Sequence, residues 1–315
     1  MATEYTLDPQ VRAFLDSIAD KPQISDFPVP EGRRLFAKMM DMVRGTPAEV
    51  KSTEDLIIPG PPADLPARLY RPPQTLRDPA PVLLYFHGGG WTIGSVDTHD
   101  AICRALCAHS GCGVVSVDYR MGPEHQFPAA VDDAWAATCW LAREARQLEL
   151  DPGRIAVGGD SAGGNLAAAV TLLARAAQAP RIAYQLLIYP ATENATDTAS
   201  RIELATGYRL TKALMDWFSA QYFATPADCL DPRGSPMRAS SLAGLPPAYV
   251  LTAGFDPLRD EGEAYATRLR AEGVPAEYVC FGDMIHGFFG MAGIIDQAGV
   301  AQRHAAAALR AALVN

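Results

Sequence analysis

The chain has 315 residues, of which 49% are apolar and 20% are charged, a composition typical of a globular protein. Its 36 acidic side chains outnumber the 27 basic ones, and the net charge of −9 argues against nucleic acid as a partner, because affinity for nucleic acid depends mainly on Lys and Arg. Residues 1–30 do not resemble a signal peptide and no run of ~18 apolar residues predicts membrane insertion, so we expect a cytoplasmic location.

Short β-rich runs alternate with longer helical patterns from about residue 56 onward. Several runs are continuously apolar, as strands covered on both faces of a sheet must be. The eight predicted strands lie at 56–58, 67–71, 82–86, 114–118, 155–158, 184–189, 248–253 and 276–281. The alternation predicts an α/β fold with a mostly parallel eight-stranded sheet and helices on both faces.

Two stretches break this alternation, residues 1–50 and residues 191–235. The first has a helical pattern without a strand, and the second is rich in Thr, Asn, Asp and aromatic residues. Because open α/β sheets bind ligands outside the carboxyl ends of their strands, we predict that the two stretches form a helical cap over a site there. Residues 51–190 and 236–315 would then form the two parts of the main, catalytic domain.

The strongest motif is GDSAG at 159–163, which lies between the apolar run 155–157 and the helix-forming stretch 165–179. A serine on a tight strand-to-helix turn projects its Oγ away from the backbone, and flanking glycines allow neighbouring chain to approach closely. A bare turn would also explain the letters alone. The strand before the motif and the helix after it favour a nucleophile elbow with Ser161 as the nucleophile.

A second motif, HGGGW at 87–91, directly follows the apolar strand 82–86. An oxyanion that forms during acyl transfer needs N–H donors close by, and glycines let backbone amides reach it. A flexible turn is the alternative. Together with the elbow, the motif predicts an oxyanion hole whose donors are drawn from Gly88, Gly89, Gly90 and Ala162.

A serine hydroxyl needs a base within hydrogen-bonding reach and a third group that fixes the tautomer of that base. Asp256 follows the apolar run 248–253, and His286 follows the run 276–281. Both would therefore lie at the sheet edge where Ser161 is expected. This predicts a triad of Ser161, Asp256 and His286.

Three other acids compete with Asp256 for its role. Asp260 and Glu261 fall in the first turn of a predicted helix, where acids interact favourably with the helix dipole, and Asp283 is typical of a turn. Asp160 beside the serine is expected to brace the elbow, and His87 to hold the glycine loop through its ring nitrogens.

His99, Cys103 and Cys107 recur at i, i+4 and i+8, a spacing that could bind zinc. Such sites usually have a fourth ligand at a recognisable spacing, and none is evident, so we expect a buried helix face. The six cysteines are sparse and predict no disulfide framework. We predict neither a metal nor a cofactor.

Aromatic side chains flank the motifs and occur again in the 191–235 stretch. They would form apolar pocket walls, with core packing or a helix seam as the alternative. The candidates are Trp91, Tyr189, Phe288 and Phe289 near the motifs, and Tyr208, Trp217, Phe218 and Tyr222 in the insertion.

These residues resemble the hormone-sensitive-lipase-like family of bacterial esterases, which are capped α/β-hydrolases. The resemblance is carried by HGGGW at 87–91, DYRMGPEHQFPAA at 118–130, GGDSAGGNLA at 158–167, DPLRDEG at 256–262 and HGF at 286–288, in family order. It implies an α/β-hydrolase fold with a helical cap, the triad and oxyanion hole named above, and a serine carboxylesterase. The chain has Met121-Gly122 where the family often has Leu-Ala, a difference confined to a supporting loop.

The resulting hypothesis is hydrolysis of small to medium acyl esters through an acyl-enzyme, with the ester and water as partners. An amidase, peptidase or lactonase would use the same machinery. A ligand-binding receptor of the same fold is a further alternative, although His286 favours an enzyme. The sequence leaves a homodimer open.

Overall fold

The computed structural model describes residues 5–314, so residues 1–4 of the predicted first cap stretch, and residue 315, lie outside the described part. The strands are β1 (Ser52–Ile58), β2 (Leu65–Arg71), β3 (Ala80–Phe86), β4 (Gly113–Val117), β5 (Leu150–Asp160), β6 (Tyr184–Ile188), β7 (Ala248–Phe255) and β8 (Ala276–Ile285). The helices are α1 (Pro9–Ile18), α2 (Val29–Val43), α3 (Asp100–Ser110), α4 (Ala129–Glu144), α5 (Ala162–Ala177), α6 (Ala199–Glu203), α7 (Lys212–Tyr222), α8 (Pro226–Leu230), α9 (Arg259–Ala271) and α10 (Asp296–Leu313).

The eight strands form one sheet in the order β1-β2-β4-β3-β5-β6-β7-β8. β2 pairs antiparallel with β1 and β4, and all other pairs are parallel. Every residue of β3, β4 and β6 is buried, because helices cover the middle of the sheet on both faces. The predicted α/β-hydrolase fold is confirmed.

Six strands are longer than their apolar runs predict, and β5 and β8 among them extend through polar segments. β5 begins at Leu150, before the polar Asp151-Pro152-Gly153 segment, and a register shift against β3 accommodates this extension. β8 continues through Gly282 and Asp283 to Ile285. Asp283 therefore lies in a strand and not in the predicted turn. Because β8 is at the edge of the sheet, it tolerates polar residues that a central strand would exclude.

The helices of residues 9–43 and 199–230 do not extend the sheet. Arg33 on α2 ties the first of these segments to loops of the sheet, since its guanidinium donates to the Thr92 and Gly122 carbonyls at 2.8 and 2.9 Å and to Glu124. The division into cap and catalytic domain stays a prediction. Among residues 5–314, no helix has the combined length and apolar character needed to cross a bilayer.

Candidate active site

Ser161 lies on the turn that joins the end of β5 to the start of α5. Its backbone angles, φ 55° and ψ −117°, are unusual for a residue other than glycine. A Cβ at Gly159 or Gly163 would clash with the carbonyl oxygen of Phe86 at the end of β3. The glycines of the motif thus let β3 and the turn approach closely, and the turn directs the serine out of the sheet edge.

Three predicted side chains form one chain of hydrogen bonds at this edge. His286 Nε2 lies 3.0 Å from Ser161 Oγ, and His286 Nδ1 lies 2.7 Å from Asp256 Oδ2. A carboxylate can only accept, so Nδ1 carries the proton and Nε2 is free to accept the serine hydroxyl proton. Asp256 is fully buried, and its other oxygen accepts the Leu258 N–H at 2.8 Å. The imidazole also packs against Tyr189, with ring centroids 4.6 Å apart.

The competing acids have other partners. Asp260 accepts the Ser200 N–H at 2.8 Å, and Glu261 forms a buried ion pair with Arg201 at 2.6 Å. Asp283 is part of β8, where its carbonyl accepts the Asp8 N–H at 3.1 Å. Within the described residues, none of these carboxylates contacts His286.

The glycine loop presents some of its amides to the serine and uses another internally. The Gly88 N–H donates to Asp160 Oδ1 at 2.9 Å, so it is not available to a ligand, contrary to the prediction for this residue. The N–H groups of Gly89, Gly90 and Ala162 have no acceptor within residues 5–314. All three residues line the cavity beside Ser161. An oxygen placed there could receive three backbone hydrogen bonds.

Asp160 connects the elbow to the glycine loop. Besides Gly88, it accepts the Tyr85 hydroxyl at 2.7 Å and lies 3.4 Å from His99 Nε2. Burial alone would raise the pKa of Asp160, but His99 and the Tyr85 hydrogen bond outweigh it and lower the pKa to about 2. The carboxylate stays ionised and accepts from both sides, which is the bracing role expected from the sequence.

His87 is fully buried beneath the same loop. Its Nδ1 lies 2.8 Å from the Gly88 carbonyl, and its ring stacks on Tyr119 with centroids 4.3 Å apart. Nε2 has no hydrogen-bond partner among the described residues. Burial, followed by the charge of His99, lowers the pKa of His87 to about 3. The ring is therefore neutral at pH 7 and donates its Nδ1 proton to the loop.

The serine opens into a cavity of about 660 Å³, a volume within the range of small-molecule sites. Its apolar walls come from α2, α7 and the loops after β3 and β6. The wall residues include Phe36, Met39, Met40, Trp91, Ile93, Tyr189, Leu214, Met215 and Phe218. The floor is polar and the walls are largely apolar, which suits a ligand with one reactive polar group.

Comparison with known proteins identifies the family of the chain. A family model described as alpha/beta hydrolase fold matches residues 83–290. The chain is 42% identical to the esterase LipI of Mycobacterium tuberculosis, over 98% of this chain and 95% of that protein. It is 41% identical to an ethyl acetate hydrolase of Pseudomonas putida, over 85% of each. The chain belongs to the hormone-sensitive-lipase-like family of α/β-hydrolases.

Solved structures of this family superpose closely on the chain. A hyperthermophilic esterase from the archaeon Pyrobaculum calidifontis is 43% identical and has a TM-score of 0.92, with 98% of this chain and all of that chain covered. An ester hydrolase from the metagenome of Lake Arreo, solved with a bipyridine phosphonate derivative, is also 43% identical and has a TM-score of 0.94. The superposition covers 97% of this chain and 99% of the Lake Arreo chain.

Five of the aromatic residues predicted for the pocket do not line the cavity. Phe288 and Phe289 are fully buried in the core beneath the loop of the family's HGF motif. Tyr222 is also fully buried, and its ring stacks on Trp91 with centroids 4.7 Å apart. These three side chains support the site from behind instead of facing a ligand.

The other two lie in the 191–235 stretch. Tyr208 packs on Phe255, with centroids 5.1 Å apart, and Trp217 packs edge-on against its neighbour Phe218 on α7. An aromatic residue near a motif can face the cavity or the core, and the sequence does not specify which.

The walls also contain residues that no sequence motif predicts. Phe36, Met40 and Met215 have no motif, and their only signal is the helical spacing of apolar residues on segments outside the sheet. Arg209 lies in the irregular part of the insertion, where sequence gives no signal at all.

The possible zinc stripe is a buried face of α3. His99, Cys103 and Cys107 are at most 2% exposed. Burial raises the pKa of the Cys107 thiol to about 12, and it raises that of Cys103 as well. Both thiols are protonated at neutral pH, as expected of cysteines that act as small apolar residues.

Proposed function

We propose that this protein hydrolyses carboxylic esters with Ser161 as nucleophile, His286 as base and Asp256 as the group that orients the base. The predicted enzyme class, a carboxylic ester hydrolase, is confirmed by the relatives named above. The observation that carries the residue roles is the unbroken hydrogen-bond chain from Asp256 to Ser161, at 2.7 and 3.0 Å, beside three amides without acceptors among residues 5–314.

The first half of the reaction forms an acyl-enzyme. His286 Nε2 takes the Ser161 proton while Oγ attacks the carbonyl carbon of the ester. The negative charge that develops on the carbonyl oxygen is held by the amides of Gly89, Gly90 and Ala162. The imidazolium is stabilised by the buried Asp256 carboxylate, and it then returns the proton to the departing alcohol oxygen.

The second half repeats these steps with water. His286 takes a proton from water, and the resulting hydroxide attacks the acyl carbon on Ser161. The same amides hold the second oxyanion. Collapse breaks the bond to Oγ, which regains its proton from His286, and the carboxylic acid leaves.

The cavity supports small to medium acyl groups as substrates. A volume of about 660 Å³, lined by α2 and α7 among other segments, is that of a small-molecule site. Methionines such as Met39, Met40 and Met215 give the walls a flexible surface, which adapts to acyl chains of different shape. A cytoplasmic location and a homodimer remain predictions.

The test is covalent labelling with a fluorophosphonate together with hydrolysis of matched esters and amides. We expect labelling confined to Ser161 and ester hydrolysis that is lost in Ser161→Ala. Ser52→Ala, which removes an exposed hydroxyl at the start of β1, is the matched control and should keep both signals. Labelling or ester hydrolysis that persists in Ser161→Ala would contradict the assignment, and faster hydrolysis of the amides would favour an amidase.

A further inference from the structure

Arg209 places a positive charge in the wall of the cavity next to the proposed base. Its Nη1 donates to the backbone carbonyl of His286 at 3.1 Å, and its Nη2 lies 4.0 Å from the sulfur of Met39 on α2. The side chain is only partly exposed. A guanidinium has five N–H donors, so these two contacts leave three without an acceptor among residues 5–314.

The other partly or fully buried charges of the cavity wall are matched. Arg201 pairs with Glu261 at 2.6 Å, and Lys212 pairs with Asp216 at 2.6 Å and with Asp197 at 3.7 Å. Asp160 is held by the contacts described above. Arg209 has no carboxylate within 4.0 Å anywhere in residues 5–314.

The backbone holds Arg209 in this position. The Leu210 N–H donates to the Tyr208 carbonyl at 2.8 Å, and φ of Arg209 is 65°, so Arg209 is the central residue of a γ-turn of the rare, strained form. Tyr208 is anchored by its packing on Phe255. The turn therefore sets the direction in which the side chain leaves the backbone, and the bond to the His286 carbonyl holds the guanidinium at the cavity wall.

A partly desolvated charge without a counter-ion is unfavourable. Burial lowers the pKa of Arg209, while the Tyr189 and Asp160 side chains act in the opposite direction. A guanidinium nevertheless stays protonated at neutral pH. A carboxylate is the group that matches its planar donors, and it would replace the solvation that the side chain has lost.

We propose that Arg209 binds a carboxylate carried by the ester substrate, so that half-esters of dicarboxylic acids, or acyl esters of hydroxy acids, are preferred over neutral esters of the same size. This inference rests on the proposed ester hydrolysis. It adds a specificity-determining residue and a charged class of substrate. The carboxylate can belong to the acyl part or to the alcohol part of the ester, and in both cases the group that binds Arg209 is the same.

The experiment compares two pairs of esters. Methyl hydrogen adipate is matched with methyl hexanoate for the acyl side, and carboxymethyl butyrate with propyl butyrate for the alcohol side. In Arg209→Met we expect kcat/KM for the charged ester of the preferred pair to fall about 10- to 100-fold, mainly through KM, because charge-assisted hydrogen bonds are lost. The matched neutral ester should lose much less, since its reaction lacks only the bond from Arg209 to the His286 carbonyl.

Lys38→Met is the control, because it removes one exposed positive charge from α2 without touching the cavity. It should leave the ratio of charged to neutral ester unchanged. Arg209→Lys keeps the charge and should restore part of the preference. An equal loss for both esters of a pair would show that Arg209 only positions the His286 loop and would overturn the proposal, as would a wild-type protein without preference for either charged ester.

A binding measurement separates this inference from the proposed function. Ser161→Ala should bind adipate more tightly than neutral hexanamide in calorimetry, and Ser161→Ala combined with Arg209→Met should lose the difference. If no ester is hydrolysed by the wild type but this difference persists, the proposed function fails while the anion site stands. If esters are hydrolysed and adipate does not bind through Arg209, only the anion site fails.

Discussion

The buried His87 predicts a specific loss of stability in acid. In the unfolded chain a histidine has a pKa of about 6.5, whereas burial lowers the pKa of His87 to about 3. The unfolded state therefore takes up a proton first as the pH falls. Stability should decline between pH 6.5 and 3 and be unaffected by this group above that range. The groups that face the ring are Tyr119, His99, Asp118 and Asp160.

The size of the effect follows from the same values. A pH of 4.5 lies two units below the pKa of the unfolded histidine, which is then nearly fully protonated, while the ring in the folded protein is still neutral. At 1.36 kcal/mol per unit, His87 alone should cost about 3 kcal/mol of unfolding free energy relative to pH 7.5.

The perturbation that tests this is His87→Phe, which keeps a ring against Tyr119 but cannot bind a proton. Urea unfolding of both proteins at pH 7.5 and 4.5 gives the four free energies needed. The variant is expected to start about 1 kcal/mol less stable, since it loses the hydrogen bond to the Gly88 carbonyl. It should then lose about 3 kcal/mol less than the wild type on acidification.

The control is His125→Phe, which removes an exposed histidine from a loop. Its loss of stability between the two pH values should equal that of the wild type. If His87→Phe also loses as much as the wild type, burial does not keep the ring neutral, and His87 does not support the glycine loop as an uncharged donor.

Two further predictions concern the triad and the elbow. Asp256→Asn should lower kcat by about 10⁴ without changing Tm, because the amide no longer fixes the histidine tautomer. The control Asp283→Asn should keep normal activity. Comparable kcat in the two variants would show that Asp256 does not orient His286. Gly163→Ala should yield little folded protein, since the added Cβ would clash with the Phe86 carbonyl oxygen. The control Gly299→Ala on α10 should raise the free energy of unfolding by about 1 kcal/mol. Thermal melts followed by circular dichroism compare the two variants, and a wild-type Tm in Gly163→Ala would refute the steric argument.

The fold class and the family were predictable because both depend on local patterns. Apolar runs covered on both faces identify the strands, and the GDSAG and HGGGW motifs place a turn at the ends of two of them. The three triad residues were predictable for the same reason, since each directly follows a strand and parallel strands end at one edge. Their catalytic roles stay a proposal.

The pocket could not be predicted in the same way. Phe36 and Phe218 line the same cavity although they lie far apart in the chain, and nothing local to either residue indicates that proximity. Gly88 is not available as an oxyanion donor because its N–H donates to the carboxylate of Asp160, a residue 72 positions away in the sequence. Phe288 and Phe289 face the core because the turn after His286 directs them inward, a choice that composition does not reveal.

The order of the strands in the sheet has a consequence for synthesis of the chain. Ser161 follows the fifth strand, whereas His286 follows the eighth, which lies at the far edge and pairs only with β7. A growing polypeptide can complete the turn around Ser161 long before the imidazole of His286 has been synthesised. If Ser161 and His286 act as proposed, the hydroxyl reacts until then no faster than that of an ordinary serine, and a half-made molecule is protected from acylation until the last strand has docked.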